Sequence, residues 1–194
     1  MNVIIDFIKG LGGNRPTAPS LIAPVDDPQP YSNHRLDPDY LRANLQAAVI
    51  KPEYQPRPSP DNPAELVTHC DGFVGEVASW YGFNDFLPDE VMANTIHKHM
   101  ENHPDQWRKV AGPAYDYGLA IEAANQGCLL IAAQTNPNGD GHVAIIAPEP
   151  NGEKSGSWNK IVPFAANVGK TCWYGKRLSN AFVQEPETYL YIGS

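Results

Sequence analysis

No stretch of this 194-residue chain contains the roughly eighteen consecutive apolar residues that a membrane-spanning helix needs, so no membrane span is expected. The apolar residues Val3, Ile4, Ile5, Phe7 and Ile8 come close to the start, but Asp6 interrupts them and no basic residue precedes them, which argues against a secretory signal peptide. Runs of Lys and Arg are equally absent. With a net charge of −8 and no basic patch in the sequence, nucleic acid is not an expected partner, because phosphate binding needs clustered cations. Any acidic partner would have to be met by a local site rather than by the overall field. The chain has only 3 cysteines, no Cys-x-x-Cys, no His-Glu-x-x-His and no internal repeat, so a disulfide framework and the common zinc patterns are excluded. Cys128 and Cys172 could still form one bridge in an oxidising compartment, although spacing does not show that they approach, and the apolar run around Cys128 favours a buried thiol.

Proline is plentiful but unevenly placed. Of 19 prolines, 11 fall between Pro16 and Pro63, so residues 1–65 read as a proline-rich arm of mostly extended or looping backbone. Leu36 to Ile50 is the exception there. Leu41, Leu45, Ala48 and Val49 recur at helical spacing after Asp37-Pro38, an N-cap followed by proline at the first helical position. Such an arm could pack on the remaining domain, cover a cleft, or dock a carrier or secretion component. Residues 66–194, in a chain that is 42% hydrophobic, suffice for one compact domain.

Two residues of that domain carry the chemistry. From Cys70 the apolar residues Phe73, Val74, Val77, Trp80 and Tyr81 lie on one helical face, so Cys70 opens a helix that Gly82 ends. The positive end of the helix dipole favours an anion, and a thiolate of lowered pKa is expected there. Read alone, Cys70 could equally be a buried structural thiol. His142 follows a polar turn, residues 134–141, which separates the apolar runs Leu129 to Ala133 and Val143 to Ala147; together these read as a β-hairpin with His142 on the first residue of the returning strand. A helix-opening cysteine and a strand-opening histidine are the parts of a thiol nucleophile and its base.

The motifs Cys70-Asp71-Gly72-Phe73-Val74, Ala124-Asn125-Gln126-Gly127-Cys128-Leu129-Leu130-Ile131-Ala132 and Gly141-His142-Val143-Ala144-Ile145-Ile146 resemble, in order and spacing, those of papain-like NlpC and CHAP cell-wall amidases. They are most similar to those of the type VI secretion amidase effectors, whose pattern is Cys-Ser-Gly-Phe-Val, Ala-Gln-Gly-Phe-Leu-Val-Ile-Ala and Gly-His-Val-Ala-Val-Val. The resemblance covers roughly residues 66–192. It implies an enzyme, a cysteine peptidase or amidase, that hydrolyses amide bonds in peptidoglycan stem peptides, typically between D-glutamate and diaminopimelate, with Cys70 as nucleophile, His142 as general base and no cofactor. It also implies a product made in the bacterial cytoplasm, exported without a signal peptide, and acting as an antibacterial toxin in the periplasm of a target cell. A cognate immunity protein and a secretion-apparatus component would be its partners. A phage lysin, a housekeeping wall hydrolase and a non-catalytic binding protein of the same fold are the competing readings.

Departures from the family pattern matter as well. Asp71 replaces the usual serine; it either faces a substrate ammonium group and sets specificity, or is a solvated first-turn acid. His69, next to Cys70 in sequence, cannot face it within a helix. Asn167, the one polar candidate in the strand expected over 159–166 and just beyond, could orient the imidazole of His142 or be a turn residue before Gly169. His97, His99 and His103 form a rival constellation, since His99 and His103 have the i, i+4 spacing of metal ligands; they could equally complement a helix C-terminus, because Pro104 follows. Helices near 70–81, 89–103 and 114–126 followed by strands near 128–133, 142–147, 159–166 and 188–192 give an α+β fold of the papain-like, NlpC/CHAP type, with N-terminal helices packed on an antiparallel sheet.

Overall fold

The computed structural model describes residues 34–86 and 92–193. Residues 1–33 of the proline-rich arm, with the stretch Met1 to Gly13, and the expected helix start at Asp89 lie outside the described residues. Among the described residues the fold is mixed α and β, with four α-helices and a six-stranded antiparallel sheet.

Helix α1, Pro38–Ala48, begins as its sequence dictates. Asp37 Oδ1 accepts the amides of Asp39 at 3.0 Å and Tyr40 at 2.9 Å, and Pro38 occupies a first-turn position that needs no donor. Its face of Leu41, Leu45 and Ala48 is buried in the same core as helix α2, Cys70–Ser79. This part of the arm therefore packs on the domain. A small ladder of β1, Arg57–Pro58, and β2, Leu66–Val67, leads into α2. Helix α2 buries Cys70, Phe73, Val74, Val77 and Ala78, then stops where expected: Gly82, at φ +80°, and Phe83 send their amides back to the carbonyls of Ser79 and Ala78. Helix α3, Ala93–Asn102, buries Ala93, Ile96, His97 and Met100, and is followed by β3, Trp107–Ala111. Helix α4 is Gly118–Asn125, shorter at its start than the expected 114–126 because Asp116 binds the Gly118 amide and fixes a turn there.

The remaining strands are β4 (Leu130–Gln134), β5 (His142–Ile146), β6 (Glu153–Lys154), β7 (Ile161–Val162), β8 (Phe164–Asn167), β9 (Trp173–Arg177) and β10 (Glu187–Tyr191). The main sheet runs β3-β10-β4-β5-β8-β9, and β6 pairs with β7 apart from it. The single strand expected over 159–166 is thus two: Pro163 lies between a short ladder and a sheet strand.

Helices are not confined to one face. Side chains alternate across a strand, so Ile131, Ala133, Val143, Ile145 and Tyr189 pack with α1, α2 and α3, while Leu130, Ala132, Ala144, Ile146 and Leu190 pack with Ala120, Ala123 and Ala124 of α4. The expected stack of N-terminal helices on the sheet is one layer; α4 forms a second on the opposite face. Burial on both sides explains why the central strands β4 and β5 read as continuous apolar runs. Cys128 is buried in the α4 layer, whereas Cys172 packs on the other face with its sulfur 3.4 Å from the Tyr54 carbonyl. No disulfide joins them. No helix among the described residues is long and apolar enough to cross a membrane.

Candidate active site

Cys70 and His142 are the first residues of α2 and β5, and these two elements pack against each other. The thiol sulfur faces the backbone amides of Val143, Asp71 and Cys70 itself. Those amides favour a thiolate, yet burial outweighs them and pushes the thiol up to about 11, with the Asp71 carboxylate adding to the rise. The expected low-pKa thiolate is therefore corrected. A helix N-terminus stabilises an anion only so far as water is not stripped from it, and Cys70 is 7% exposed. At neutral pH the resting group is a thiol.

His142 is held on the other side. Its Nε2 lies 2.8 Å from Asn167 Oδ1, and Asn167 Nδ2 donates at 2.7 Å to the Thr171 carbonyl. A carbonyl can only accept, so the NH2 of Asn167 must face Thr171 and the amide oxygen must face the ring. His142 then carries its proton on Nε2, leaving Nδ1 with a lone pair. Burial lowers the imidazole pKa, and the bond to Asn167 partly opposes this, so the neutral ring is the resting state. Asn167 is the last residue of β8 and is buried, which puts the polar candidate of that strand beside the histidine rather than in a turn. Phe182 covers the ring at 4.9 Å between centroids, and Gly169 leaves room for it, since a Cβ there would lie 3.2 Å from His142 Cε1.

The neutral thiol, the neutral imidazole with a fixed tautomer and the amides at the start of α2 can together transfer a proton, attack a carbonyl and receive an oxyanion. Access is through a cavity of about 270 Å³ lined by Cys70, Asp71, Glu65, Met92, Asp140 and Gly141, among others. Residues leading into α2, Ser59 and 65–68, form part of its wall. Among the described residues no Lys or Arg lines it, and Glu65, Asp71 and Asp140 make the approach to the thiol acidic. His69 caps α2 through its carbonyl, which accepts the Phe73 amide at 3.0 Å, and is not among the lining residues.

The histidines of α3 do not converge on a single centre. His99 and His103 stack on each other with centroids 4.0 Å apart, and Nδ1 of His103 donates to the His99 carbonyl at 2.8 Å. His97 turns to the sheet, where Nε2 lies 3.0 Å from Glu187 Oε2. Among the described residues the one group with ligand atoms near enough to share a cation is His97, Glu101 and Glu187. Glu187 is already occupied: Lys109 binds Oε1 at 2.6 Å and Tyr189 binds Oε2 at 2.7 Å. Burial works the other way, but these donors and His97 hold the Glu187 carboxyl below its ordinary range. Glu187 is thus satisfied by its own donors, while His97 Nδ1 lies 3.4 Å from Glu101 Oε2 without a hydrogen bond.

Thr171, Phe182, Glu65 and Asp140 are site residues that sequence reasoning missed. A main-chain carbonyl leaves no mark in a sequence, and Phe182 reaches His142 from 40 residues away with no motif around it. The chain matches no protein-family model and no curated protein.

Proposed function

We propose that this protein is a papain-like cysteine amidase that hydrolyses amide bonds in the stem peptides of peptidoglycan, with Cys70 as nucleophile and His142 as base. The observation that carries this reading is the chain Thr171 carbonyl, Asn167, His142, which leaves Nδ1 of the imidazole unprotonated on the strand whose next amide faces the Cys70 sulfur. In the proposed reaction His142 Nδ1 takes the thiol proton as sulfur attacks the peptide carbonyl, and the amides at the start of α2 receive the oxyanion. The imidazolium then gives its proton to the leaving amine. A water, deprotonated by His142, attacks the thioester, releases the carboxylic acid and restores the thiol. No metal or cofactor is required.

Motif similarity supports the type VI effector version of this reading, in which the protein reaches the periplasm of a target cell and is neutralised at home by an immunity protein. The bond between D-glutamate and diaminopimelate is the proposed target. An acidic approach to the thiol suits a substrate that carries an ammonium group beside the scissile amide.

Digestion of purified peptidoglycan by wild type and by Cys70→Ala, with soluble fragments identified by mass spectrometry, tests the proposal. Stem-peptide fragments from wild type alone are expected. A wild type as inert as Cys70→Ala on walls of several stem chemistries would leave a non-catalytic binding role, the reading that a thiol only 7% exposed otherwise favours.

Asp71 gives a prediction with two opposite signs. Its negative charge raises the Cys70 pKa, so Asp71→Asn should lower that pKa and speed alkylation of Cys70 by neutral iodoacetamide at pH 8 about threefold to tenfold. Hydrolysis of an ammonium-bearing substrate should fall in the same variant. Unchanged alkylation would mean that the carboxylate does not act on the thiol; unchanged hydrolysis would mean that it does not read the substrate.

A further inference from the structure

We propose that Asn94 is a positioning residue for His142, an inference that rests on the Cys70–His142 reading above. One side chain on the first turn of α3 holds the turn that delivers His142. Asn94 Nδ2 donates to the carbonyls of Asn136 at 3.0 Å and Gly139 at 2.7 Å, while its Oδ1 accepts the Asn136 amide at 3.0 Å. Both N–H groups and the oxygen of the amide are thus spent on residues of the β4–β5 turn. Towards Asn136 the side chain behaves as a short strand would, pairing with the N–H and C=O of one residue.

The fit is tight on the histidine side. Gly141, at φ +66°, lies so close to this amide that a Cβ would stand 2.4 Å from Asn94 Oδ1 and 2.8 Å from the Gln134 carbonyl. Only glycine admits both the backbone conformation and the approach. Inside the turn the support is local and slight: Gly139 donates to the Asn136 carbonyl at 3.2 Å and Asn138 to Asn136 Oδ1 at 3.1 Å. Helix α3, in contrast, is fixed on the sheet by buried Ala93, Ile96 and Met100. Asn94 therefore ties a weakly supported loop to a firmly packed helix by bonds that reach Gly139, three residues before the proposed base, and its side chain stands against Gly141.

This places His142 between two anchors. Asn167 fixes the ring from β8, and Asn94 fixes the backbone entering β5. The same contact sets the cavity wall, because Met92 and Ala93 at the start of α3 face the cavity together with Asp140 and Gly141. Without Asn94 the turn is free to leave α3, and the orientation of the imidazole changes with it. A misplacement of about 1 Å at a reacting group costs on the order of a hundredfold, so partial release is expected to be costly.

The test uses Asn94→Ala and Asn94→Asp in the full chain. The second variant keeps a group of the same size but points a carboxylate at two carbonyls and retains only the acceptor. Both are expected to lower kcat on soluble stem peptide about tenfold or more with KM within about threefold, since the reacting group rather than substrate binding is disturbed. The proton on His142 Nε2, held by Asn167, should give a slowly exchanging NMR signal in wild type that broadens in both variants. Gly127→Ala, beyond the far end of β4, is the control for general loosening and should leave that signal sharp. Folded variants with kcat within twofold of wild type and an unaltered His142 signal would overturn the proposal, as would equal broadening in the control. Should wild type itself prove inactive, the amidase reading fails, and the NMR comparison still decides whether Asn94 positions His142.

Discussion

His142→Ala is expected to lose hydrolysis by about four orders of magnitude at pH 7 and to regain it steadily as pH rises, whereas Cys70→Ala stays at background at every pH. Burial pushes Cys70 up to about 11, so at pH 7 roughly one molecule in ten thousand carries a thiolate unaided. In wild type His142 removes the proton during attack, and its own pKa is lowered by burial, so the ring is a competent base from weakly acidic pH upward. The wild-type rate should therefore rise through a pH below the ordinary histidine range and then remain flat across neutrality. Without the imidazole only preformed thiolate reacts. The residual rate of His142→Ala should then climb about tenfold per pH unit until it approaches the thiol pKa near 11. Initial rates on a soluble stem peptide between pH 6 and 10 measure both profiles. A flat residual profile in His142→Ala would show that another group takes the proton, and activity in Cys70→Ala would remove the thiol from the mechanism.

The parts of the fold that were legible are those where burial and periodicity coincide. Helix α2 was readable because Phe73, Val74 and Val77 mark one face, and the β4–β5 hairpin because helices on both sides of the sheet demand unbroken apolar strands around a polar turn. Strands β3 and β9 were not legible. They are the two edges of the sheet, and edges carry charge: Arg108 and Lys109 interrupt the first, Lys176 and Arg177 the second, with Gly175 at φ +74° inside it. The face chosen by α4 was also hidden. Its buried side is Ala120, Ala123 and Ala124, which shows that something packs closely but not on which side of the sheet.

At the site, Cys70 and His142 were legible from their positions at the openings of elements, and Asn167 as the polar residue of an otherwise apolar strand. Its orientation was not, because that depends on the Thr171 carbonyl. The thiol pKa was misjudged for a related reason: the helix dipole follows from sequence position, while desolvation follows from what closes over the residue. Asn94 lies in an ordinary helical stretch, and its three bonds to the hairpin turn arise only when α3 and that turn meet.

Gly127→Ala should destabilise the fold by about 3 kcal/mol, more than a single methyl group on a surface turn would suggest. Gly127 ends α4, with its amide donating to the Ala124 carbonyl at 2.9 Å and the Cys128 amide donating to the Ala123 carbonyl at 3.1 Å, a pairing that needs its φ of +76°. An L side chain in that conformation costs about 1 kcal/mol or somewhat more. The larger share comes from what lies across from it. A Cβ at Gly127 would stand 1.7 Å from the Leu36 carbonyl oxygen, so the backbone leading into α1 has to move away. That movement breaks the 3.0 Å bond from the Leu36 amide to the Gly127 carbonyl, worth about 1 kcal/mol, and unseats Leu36, which is packed on the core. The same carbonyl accepts the Tyr81 hydroxyl at 3.0 Å, so the end of α2 loses an anchor as well. A fall in Tm of roughly 10 °C is expected for a chain of this size, read by thermal denaturation. A fall of under about 2 °C would show that residues 34–36 yield at little cost and that α1 is held by Leu41, Leu45 and Ala48 alone.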